Sequence, residues 1–428
     1  MKVERQPITL LETQQTKLEK NLTLYQELIS KIAALKTAAT KLSTAASFFV
    51  KKVSSSNETV LTVTASSGAE VGSHSVTVDG LARATILKSA SFSDTNTTTL
   101  KQGTLTITIG SSSTNITVDS TNNTLQGLTD AINGSGAAVT ASIIAENAGA
   151  TPTYRLVVAG KNTGTINAVT VNENGLTGSG TRPGLTASQS AADASLTVDS
   201  ISITRSTNTI SDIIAGVTLE LKSTSASEIQ VTVAHDADAM KTQISDYVKA
   251  YNDVMSFIST QTKYNTDAKK AGPLLGDSAL RTLKRSLQSI ITSPVSGSPS
   301  ILSEVGITTQ KDGTLAVNDA KLSNALQTNL TGLSNLFLAT INGVAKATMT
   351  SADNATRTGD GVLAARIEGT QEVIDRLQNQ IDRKEAALEQ LREDLTRRFA
   401  ALETLVSQLQ AQGQYLTQQF LALNNQRR

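Results

Sequence analysis

The stretch ALEQLREDLTRRFAALETLVSQL, residues 387–409, places its leucines in one narrow helical stripe between charged and small residues. The stripe belongs to a longer seam in which apolar residues recur every seventh position: Ile367, Ile374, Ile381, Leu388, Leu395, Leu402 and Leu409. Leu377, Leu391 and Leu405 lie at intermediate seam positions, whereas the equivalent positions Lys384 and Arg398 are charged. A seam sustained over this many heptads predicts a long coiled-coil helix.

This helix needs a partner, and the other end of the chain carries a matching pattern. From Ala364 to Gln412 it would be roughly 70 Å long at 1.5 Å per residue, which exceeds a compact domain. Residues 8–50 have the apolar character and spacing of a second stripe, with candidate seam residues Leu11, Leu18, Tyr25 and Ile32. We therefore expect the two chain ends to pair in an antiparallel leg.

The middle of the chain changes from helical periodicity to the alternation typical of strands. From about residue 54, segments such as TLTITIG and EIQVTVA alternate apolar side chains with Thr or Ser, and past residue 236 the helical period returns. The sequence thus predicts a multidomain α+β fold: a long antiparallel coiled-coil leg from both chain ends, with inserted antiparallel β head domains. The predicted domains are an N-terminal leg helix at 8–50, a proximal β head at 54–90 plus 192–235, a distal β head at 91–191, a helical body with a β-hairpin at 236–360 and a C-terminal leg helix at 361–428.

Composition argues against several classes of function. A net charge of +1 disfavours a nucleic-acid footprint, and the absence of cysteine excludes disulfides and thiolate metal sites. No window approaches eighteen apolar residues, and MKVERQPITLLETQQ has no apolar core of the kind a cleaved signal needs, so we expect no membrane insertion. Aromatic residues make up 3% of the chain, which disfavours an aromatic sugar-binding groove.

The sequence contains no recognisable catalytic constellation. Its two histidines, His74 and His235, lack metal-ligand spacing, and no H-E-x-x-H, G-x-S-x-G or P-loop occurs. AGPLLGDS, residues 271–278, lacks the lysine of a phosphate loop, and we interpret it as a helix start capped by Asp277 or Ser278. We therefore expect neither an enzyme nor a bound cofactor or metal.

Several segments resemble one family. DADAMKTQISDYVKAYNDVMSFISTQTKYN (236–265), GPLLGDSALRTL (272–283) and EVGITTQKDGTLAVNDAKL (304–322) look like the C-terminal half of the flagellar filament cap family, also called hook-associated protein 2. VERQPITLLETQQTKL (3–18) is similar to that family's N-terminal segment, although members usually carry a short segment before it, which we interpret here as a trimmed or alternative start.

The resemblance implies a structural assembly factor that retains exported flagellin at the distal tip of the flagellum and promotes its folding and polymerisation. The implied partners are further copies of the chain in a ring-shaped homo-oligomer, flagellin, hook–filament junction proteins and a flagellar type III export chaperone. The implied location is extracellular, after export without a cleaved signal peptide. Coiled-coil legs would point into the filament and β domains would form a plate.

Two alternatives stay open at this stage. The first is another flagellar axial protein, a hook–filament junction protein or a flagellin, since these also pair terminal helices around β domains. The segments YVKAYNDVMSFI and GPLLGDSALRTL argue against it. The second is a β-rich surface adhesin that binds host glycan or mucin through residues 91–191, which the low aromatic content disfavours.

Overall fold

The computed structural model describes residues 4–147, 152–265 and 269–425. Residues 148–151 of the predicted distal head, 266–268 of the helical body and 426–428 of the C-terminal leg helix lie outside the described residues. The α-helices are α1 (Gln6–Lys41), α2 (Ala45–Phe48), α3 (Leu125–Gly134), α4 (Ala237–Thr262), α5 (Ser278–Thr292), α6 (Asp319–Thr328), α7 (Leu330–Leu338), α8 (Val344–Thr356) and α9 (Val362–Asn425).

The strands are shorter and concentrate in the middle of the chain. They are β1 (Lys51–Ser55), β2 (Leu61–Ala65), β3 (Gly72–Gly80), β4 (Ile86–Lys88), β5 (Gly103–Ile109), β6 (Ser112–Val118), β7 (Val139–Asn147), β8 (Thr153–Gly160), β9 (Val169–Asn172), β10 (Thr186–Gln189), β11 (Ala194–Val198), β12 (Ile201–Arg205), β13 (Thr209–Ile210), β14 (Val217–Leu221), β15 (Ser225–His235), β16 (Tyr264–Asn265), β17 (Lys270–Ala271), β18 (Ile307–Thr309) and β19 (Leu315–Val317).

The chain divides into two units, and the predicted α+β class is confirmed. Residues 1–48 and 237–428 form one unit, here called the helical unit, so both chain ends belong to the same body. Residues 49–236 form the other, here called the strand unit. The limits of the finer domains proposed from the sequence stay a prediction.

Helix α1 supplies much of the core of the helical unit. It starts with Pro7 in its first turn, where the missing N–H costs no hydrogen bond, and it contacts α4, α8 and α9. Its buried side chains recur at three- and four-residue steps, as a helix embedded along one face requires: Tyr25, Leu28, Ile32, Leu35, Ala38 and Ala39.

The predicted N-terminal helix over 8–50 is wrong at its end, because α1 stops at Lys41. Hydroxyl groups just beyond that point bond to the backbone: Ser43 Oγ donates to the carbonyl of Thr40 at 2.8 Å, and the Ser47 amide donates to Thr44 Oγ1 at 3.2 Å. Such local bonds compete with continuation of the helix. The short helix α2 follows, and β1 already begins at Lys51.

The body of the helical unit contains the hairpin that the sequence indicates. Strands β18 and β19 pair in antiparallel fashion, and Gly313 takes the left-handed conformation at φ 91° in the turn. After the hairpin, α6 and α7 are divided at Asn329, whose side chain accepts a hydrogen bond from the Gly332 amide at 3.0 Å.

The strand unit is built from two hydrophobic clusters, each between antiparallel sheets. In the first, a five-stranded sheet of order β1-β15-β3-β11-β12 and a three-stranded sheet of order β13-β14-β2 bury Val76, Leu196, Leu219 and Val231. In the second, sheets of order β10-β4-β8-β7 and β6-β5-β9 cover Leu105, Leu128, Ile132 and Leu156 together with α3. Alternation of Thr or Ser with aliphatic residues follows from one face of each strand being buried.

The burial of α1 leads to a first prediction. Leu35 is fully buried, whereas Leu10 on the same helix is 61% exposed. Replacing a buried leucine by alanine removes apolar contacts and leaves a cavity, so Leu35→Ala should lower the free energy of unfolding by about 2–5 kcal/mol. Leu10→Ala is the matched control and should change it by less than about 0.5 kcal/mol. Urea denaturation of both variants measures the difference, and equal stabilities would contradict the role of α1 as core.

Candidate assembly surface

The two ends of the chain meet where α1 lies antiparallel to the first part of α9. Gln15 Nε2 donates to Gln378 Oε1 at 2.9 Å, and Arg366 Nε lies 3.4 Å from the Tyr25 hydroxyl. Arg5 forms an ion pair with Glu385 at 3.7 Å. Residue numbers rise along α1 as they fall along α9, so the two helices are antiparallel. The N-terminal end of α1 lies near Glu385.

A buried carboxylate fastens this helix pair to the start of α5. Asp277, whose side chain is 4% exposed, accepts from the Tyr25 hydroxyl at 2.7 Å and from Arg366 Nε at 3.1 Å. The same carboxylate caps α5 by accepting from the amides of Ala279 at 2.8 Å and Leu280 at 3.2 Å. A single side chain therefore joins three helices that come from distant parts of the sequence.

These contacts set the ionisation of the cluster. Burial alone would raise the pKa of Asp277, but the hydrogen bonds from Tyr25 and the Leu280 amide, together with the charge of Arg366, hold that pKa below its usual value. Burial and the bond to Asp277 raise the pKa of Tyr25, and the bond with Tyr25 raises the pKa of Arg366. The cluster is thus a neutral phenol between a carboxylate and a guanidinium.

Sequence reasoning found only part of this cluster. It identified Asp277 or Ser278 as the cap, and Asp277 is the cap, preceded by Gly276 at φ 87°. It treated Tyr25 as one more apolar seam residue and did not single out Arg366. The tyrosine itself could have indicated the cluster. Among aliphatic seam residues it carries a hydroxyl group, which needs a hydrogen-bond partner when it is buried.

The candidate seam residues separate into a paired set and an unpaired set. Tyr25, Ile32, Ile374 and Ile381 are buried, and Leu11, Leu18 and Ile367 are half-buried. Leu388 and Leu395 are half-buried in a segment that α1 does not reach. Four leucines of α9 are exposed, at 39% for Leu391, 53% for Leu402, 51% for Leu405 and 57% for Leu409.

The pairing of the two chain ends therefore stops near Glu385, and α1 does not reach the seam residues from Leu388 onward. The reason is the register of the two helices: Arg5, directly before α1, already lies opposite Glu385, so α1 does not face the part of α9 beyond it. We call Leu388, Leu391, Leu395, Leu402, Leu405 and Leu409 the distal stripe. It continues the heptad register of the paired seam along a segment, residues 386–425, that extends roughly 60 Å at 1.5 Å per residue. A contiguous exposed apolar surface of this kind makes the distal stripe a candidate interaction site.

The two histidines of the chain lie in the strand unit. His74 Nδ1 lies 2.7 Å from Asp199 Oδ2, and the His235 ring packs on Phe49, where burial and Lys51 lower its pKa. Across residues 4–147, 152–265 and 269–425, no group of three or more His, Cys, Asp or Glu side chains could hold a metal ion. Nor does any helix in these ranges combine the length and apolarity that crossing a bilayer requires.

Taken together, the fold and the seam define a multidomain α+β protein with paired terminal helices and an exposed leucine seam. The family model for the flagellar hook-associated protein 2 C-terminus matches residues 191–411, and that for its N-terminus matches residues 1–85. The chain belongs to the flagellar hook-associated protein 2 family.

Individual relatives extend the match over almost the whole chain. Flagellar hook-associated protein 2 of Escherichia coli strain K12 is 31% identical over 444 residues, covering 97% of this chain and 93% of that protein. The B-type flagellar hook-associated protein 2 of Pseudomonas aeruginosa is 31% identical over 344 residues, covering 74% of this chain and 72% of that protein. The crystal structure of the D1-D2-D3 domains of the flagellar cap protein FliD from Escherichia coli has a TM-score of 0.66 at 32% identity, covering 81% of this chain and 99% of that one.

The buried carboxylate generates a prediction about pH. Because the pKa of Asp277 is depressed below its usual value of 3.8, its ionised form stabilises the folded state above that pH, and the contribution is lost as pH falls through the folded pKa. Asp277→Asn keeps a capping oxygen but removes the charge. The stability difference between wild type and Asp277→Asn, from urea denaturation, should be largest near neutral pH and shrink below pH 3.8. A difference independent of pH would contradict this assignment.

The paired and unpaired parts of the seam should respond differently to a charge. Ile374 is 6% exposed, so Ile374→Asp buries an unpaired carboxylate and should cost about 3–5 kcal/mol. Leu402→Asp leaves its carboxylate in water and should cost the isolated chain less than about 1 kcal/mol, mostly through helix propensity. Denaturation at concentrations where the chain is monomeric tests both, and similar losses would show that the distal stripe is buried within one chain.

Proposed function

We propose that this protein caps the distal end of the bacterial flagellar filament. In this role, copies of the chain form a ring that retains exported flagellin and promotes its folding and polymerisation. The observation that carries the proposal is the distal stripe, a continuous leucine seam that α1 leaves uncovered in a member of the hook-associated protein 2 family. The capping role is that of a related protein, the flagellar cap protein FliD of Escherichia coli.

We propose a different function for each of the two units. The paired part of α9 holds the helical unit together, while the distal stripe is free to pack against other axial components, including a neighbouring copy of the chain. The strand unit offers exposed sheet edges and loops for contacts with flagellin. We propose that the protein acts through these binding surfaces, without catalysis.

Partners and location are part of the same proposal. We infer that the chain associates with itself, with flagellin and with hook–filament junction proteins, and that a flagellar type III export chaperone escorts it before secretion. Its place of action is extracellular, at the filament tip. The relatives described above are named as hook-associated protein 2 or as a cap protein, which favours this function over a flagellin, a junction protein or a glycan-binding adhesin.

A complementation experiment tests the proposal through the distal stripe. Leu402 and Leu409 are both more than half exposed, so the double variant Leu402→Asp/Leu409→Asp should fold and be secreted. In a strain that lacks its own copy of the gene, it should fail to hold the cap in place, because carboxylates in an apolar interface go unpaired. We expect flagellin in the culture medium and short or absent filaments, measured by immunoblotting and electron microscopy.

Ser407→Asp is the matched control, because it adds the same charge to an exposed position of the same helix outside the distal stripe. This variant should support filaments of normal length. Normal filaments from the double variant would refute the assembly role of the stripe. Flagellin in the medium from the control would show that any added charge on this part of α9 disrupts capping.

A further inference from the structure

Strand β12 forms one edge of the five-stranded sheet. It pairs with β11 alone, and the two strands are joined by a turn in which Asp199 and Ser200 have φ 48° and 69°. Two consecutive residues with positive φ define a tight hairpin turn whose closing pair, Val198 and Ile201, exchanges both backbone hydrogen bonds. The backbone groups of Ile201, Ile203 and Arg205 therefore point to β11.

The alternate residues of β12 point their backbone groups away from the sheet. The Asp199 amide donates to the Ser75 carbonyl at 2.9 Å. The residues of β11 that alternate with Val198 therefore direct their backbone groups to β3, which agrees with Val198 bonding to β12. The carbonyl of Thr204 accepts from Arg205 Nη1 at 2.8 Å. The N–H and C=O of Ser202 and the N–H of Thr204 are left, and within the described ranges they have no bonding partner. A row of free groups of this kind is a template for another strand.

At a different edge strand of the strand unit, β7, a side chain bonds to the outward backbone groups. At β7, the Asn133 side chain bonds to both backbone groups of Ala141: its Nδ2 donates to the carbonyl at 2.9 Å and its Oδ1 accepts from the amide at 2.8 Å. A side-chain amide thus takes the place of a neighbouring strand. β12, with the sequence ISITR, contains neither Lys nor Pro, and its register with β11 is uninterrupted.

A cleft of about 460 Å³, lined by both aliphatic and charged side chains, lies beside this edge. Ile201 and Ile203 line it from β12, on the sheet face that carries the buried Val198 and Leu196 opposite them, and Ile213 lines it from the loop before β14. Ile201 is 66% exposed, so this face of β12 is only partly covered. A strand added to β12 would place alternate side chains over the cleft.

The charges around the cleft indicate what such a strand should carry. Arg205 is paired with Asp212 at 2.9 Å, and His74 lies against Asp199. Glu70 also lines the cleft and is exposed, and its carboxylate has no ion-pair partner in the part of the chain that the structure describes. The unbalanced charge is negative, which favours a basic residue on the incoming segment.

We propose that β12 binds an extended segment of an unfolded partner polypeptide as an added antiparallel strand. Alternate aliphatic side chains of the segment enter the cleft of Ile201, Ile203 and Ile213, and a lysine or arginine pairs with Glu70. Main-chain hydrogen bonds to Ser202 and Thr204 supply affinity that does not depend on one particular sequence. This deepens the proposed function and rests on it for the partner, since flagellin that still has to fold presents such segments.

The test uses the full chain and two short capped peptides of alternating threonine and valine, one with a single lysine and the other with a glutamate in its place. Titration with fluorescently labelled peptide measures affinity, and hydrogen exchange measures protection of the Ser202 and Thr204 amides. Thr204→Pro removes one outward N–H at an edge position that tolerates proline, and should weaken binding about tenfold or more. Thr204→Val keeps that N–H and should stay within about twofold of wild type.

Charge exchange provides an independent measurement. Glu70→Lys should weaken binding of the lysine peptide and strengthen binding of the glutamate peptide. The ratio of the two affinities should change by about tenfold or more. Equal binding by Thr204→Pro and Thr204→Val, or protection confined to other strands, would overturn the proposal. Protection of Ser202 that grows with protein concentration in the absence of peptide would assign the edge to a second copy of the chain and also overturn it.

Filament growth separates this inference from the proposed function. A wild-type protein that caps filaments but binds neither peptide would overturn the docking site and leave the capping role intact. If Thr204→Pro abolishes peptide binding while filaments grow normally, the docking site holds and its part in capping is refuted. Loss of filaments with Thr204→Pro, but not with Thr204→Val, would support both the docking site on β12 and its part in capping.

Discussion

The helical unit depends on one buried carboxylate. Asp277 ends the loop before α5, caps that helix and receives hydrogen bonds from Tyr25 on α1 and Arg366 on α9. Apolar packing alone would tolerate sliding of two leucine-lined helices, because dispersion contacts have little directionality. A carboxylate that must satisfy four donors tolerates much less displacement. The cluster thus determines which turn of α1 faces which turn of α9, and through this register it determines where the pairing ends.

Much of this architecture could be predicted from local patterns. Seven-residue repeats identified α9 and alternation identified most strands, because each pattern reflects burial of one face. The end of α1 at Lys41 was missed, since the Ser and Thr residues that follow it compete with the helix through bonds that periodicity does not reveal. The extent of pairing was missed for another reason. An apolar seam indicates that a helix needs a partner, but it does not indicate which segment is that partner.

The candidate site was predictable to a similar degree. The seam residues were correctly placed on helices, but the sequence alone could not separate Ile381, which is buried, from Leu402, which is exposed. That distinction depends on the register of α1, and hence on the partners of Tyr25, which lie 252 and 341 residues away along the chain. Similarly, the hydroxyl-rich strands indicated sheets, whereas the difference between a closed edge at β7 and an open edge at β12 required three-dimensional contacts.

The uncovered length of α9 has a consequence for motion. Its leucines repeat every seven residues, so a partner helix shifted along it by one repeat, about 10 Å, meets nearly the same grooves. Arg398 interrupts this repeat at one seam position. If the proposed assembly role holds, a component bound along the distal stripe could occupy sites one heptad apart and shift between them while staying in contact with the helix.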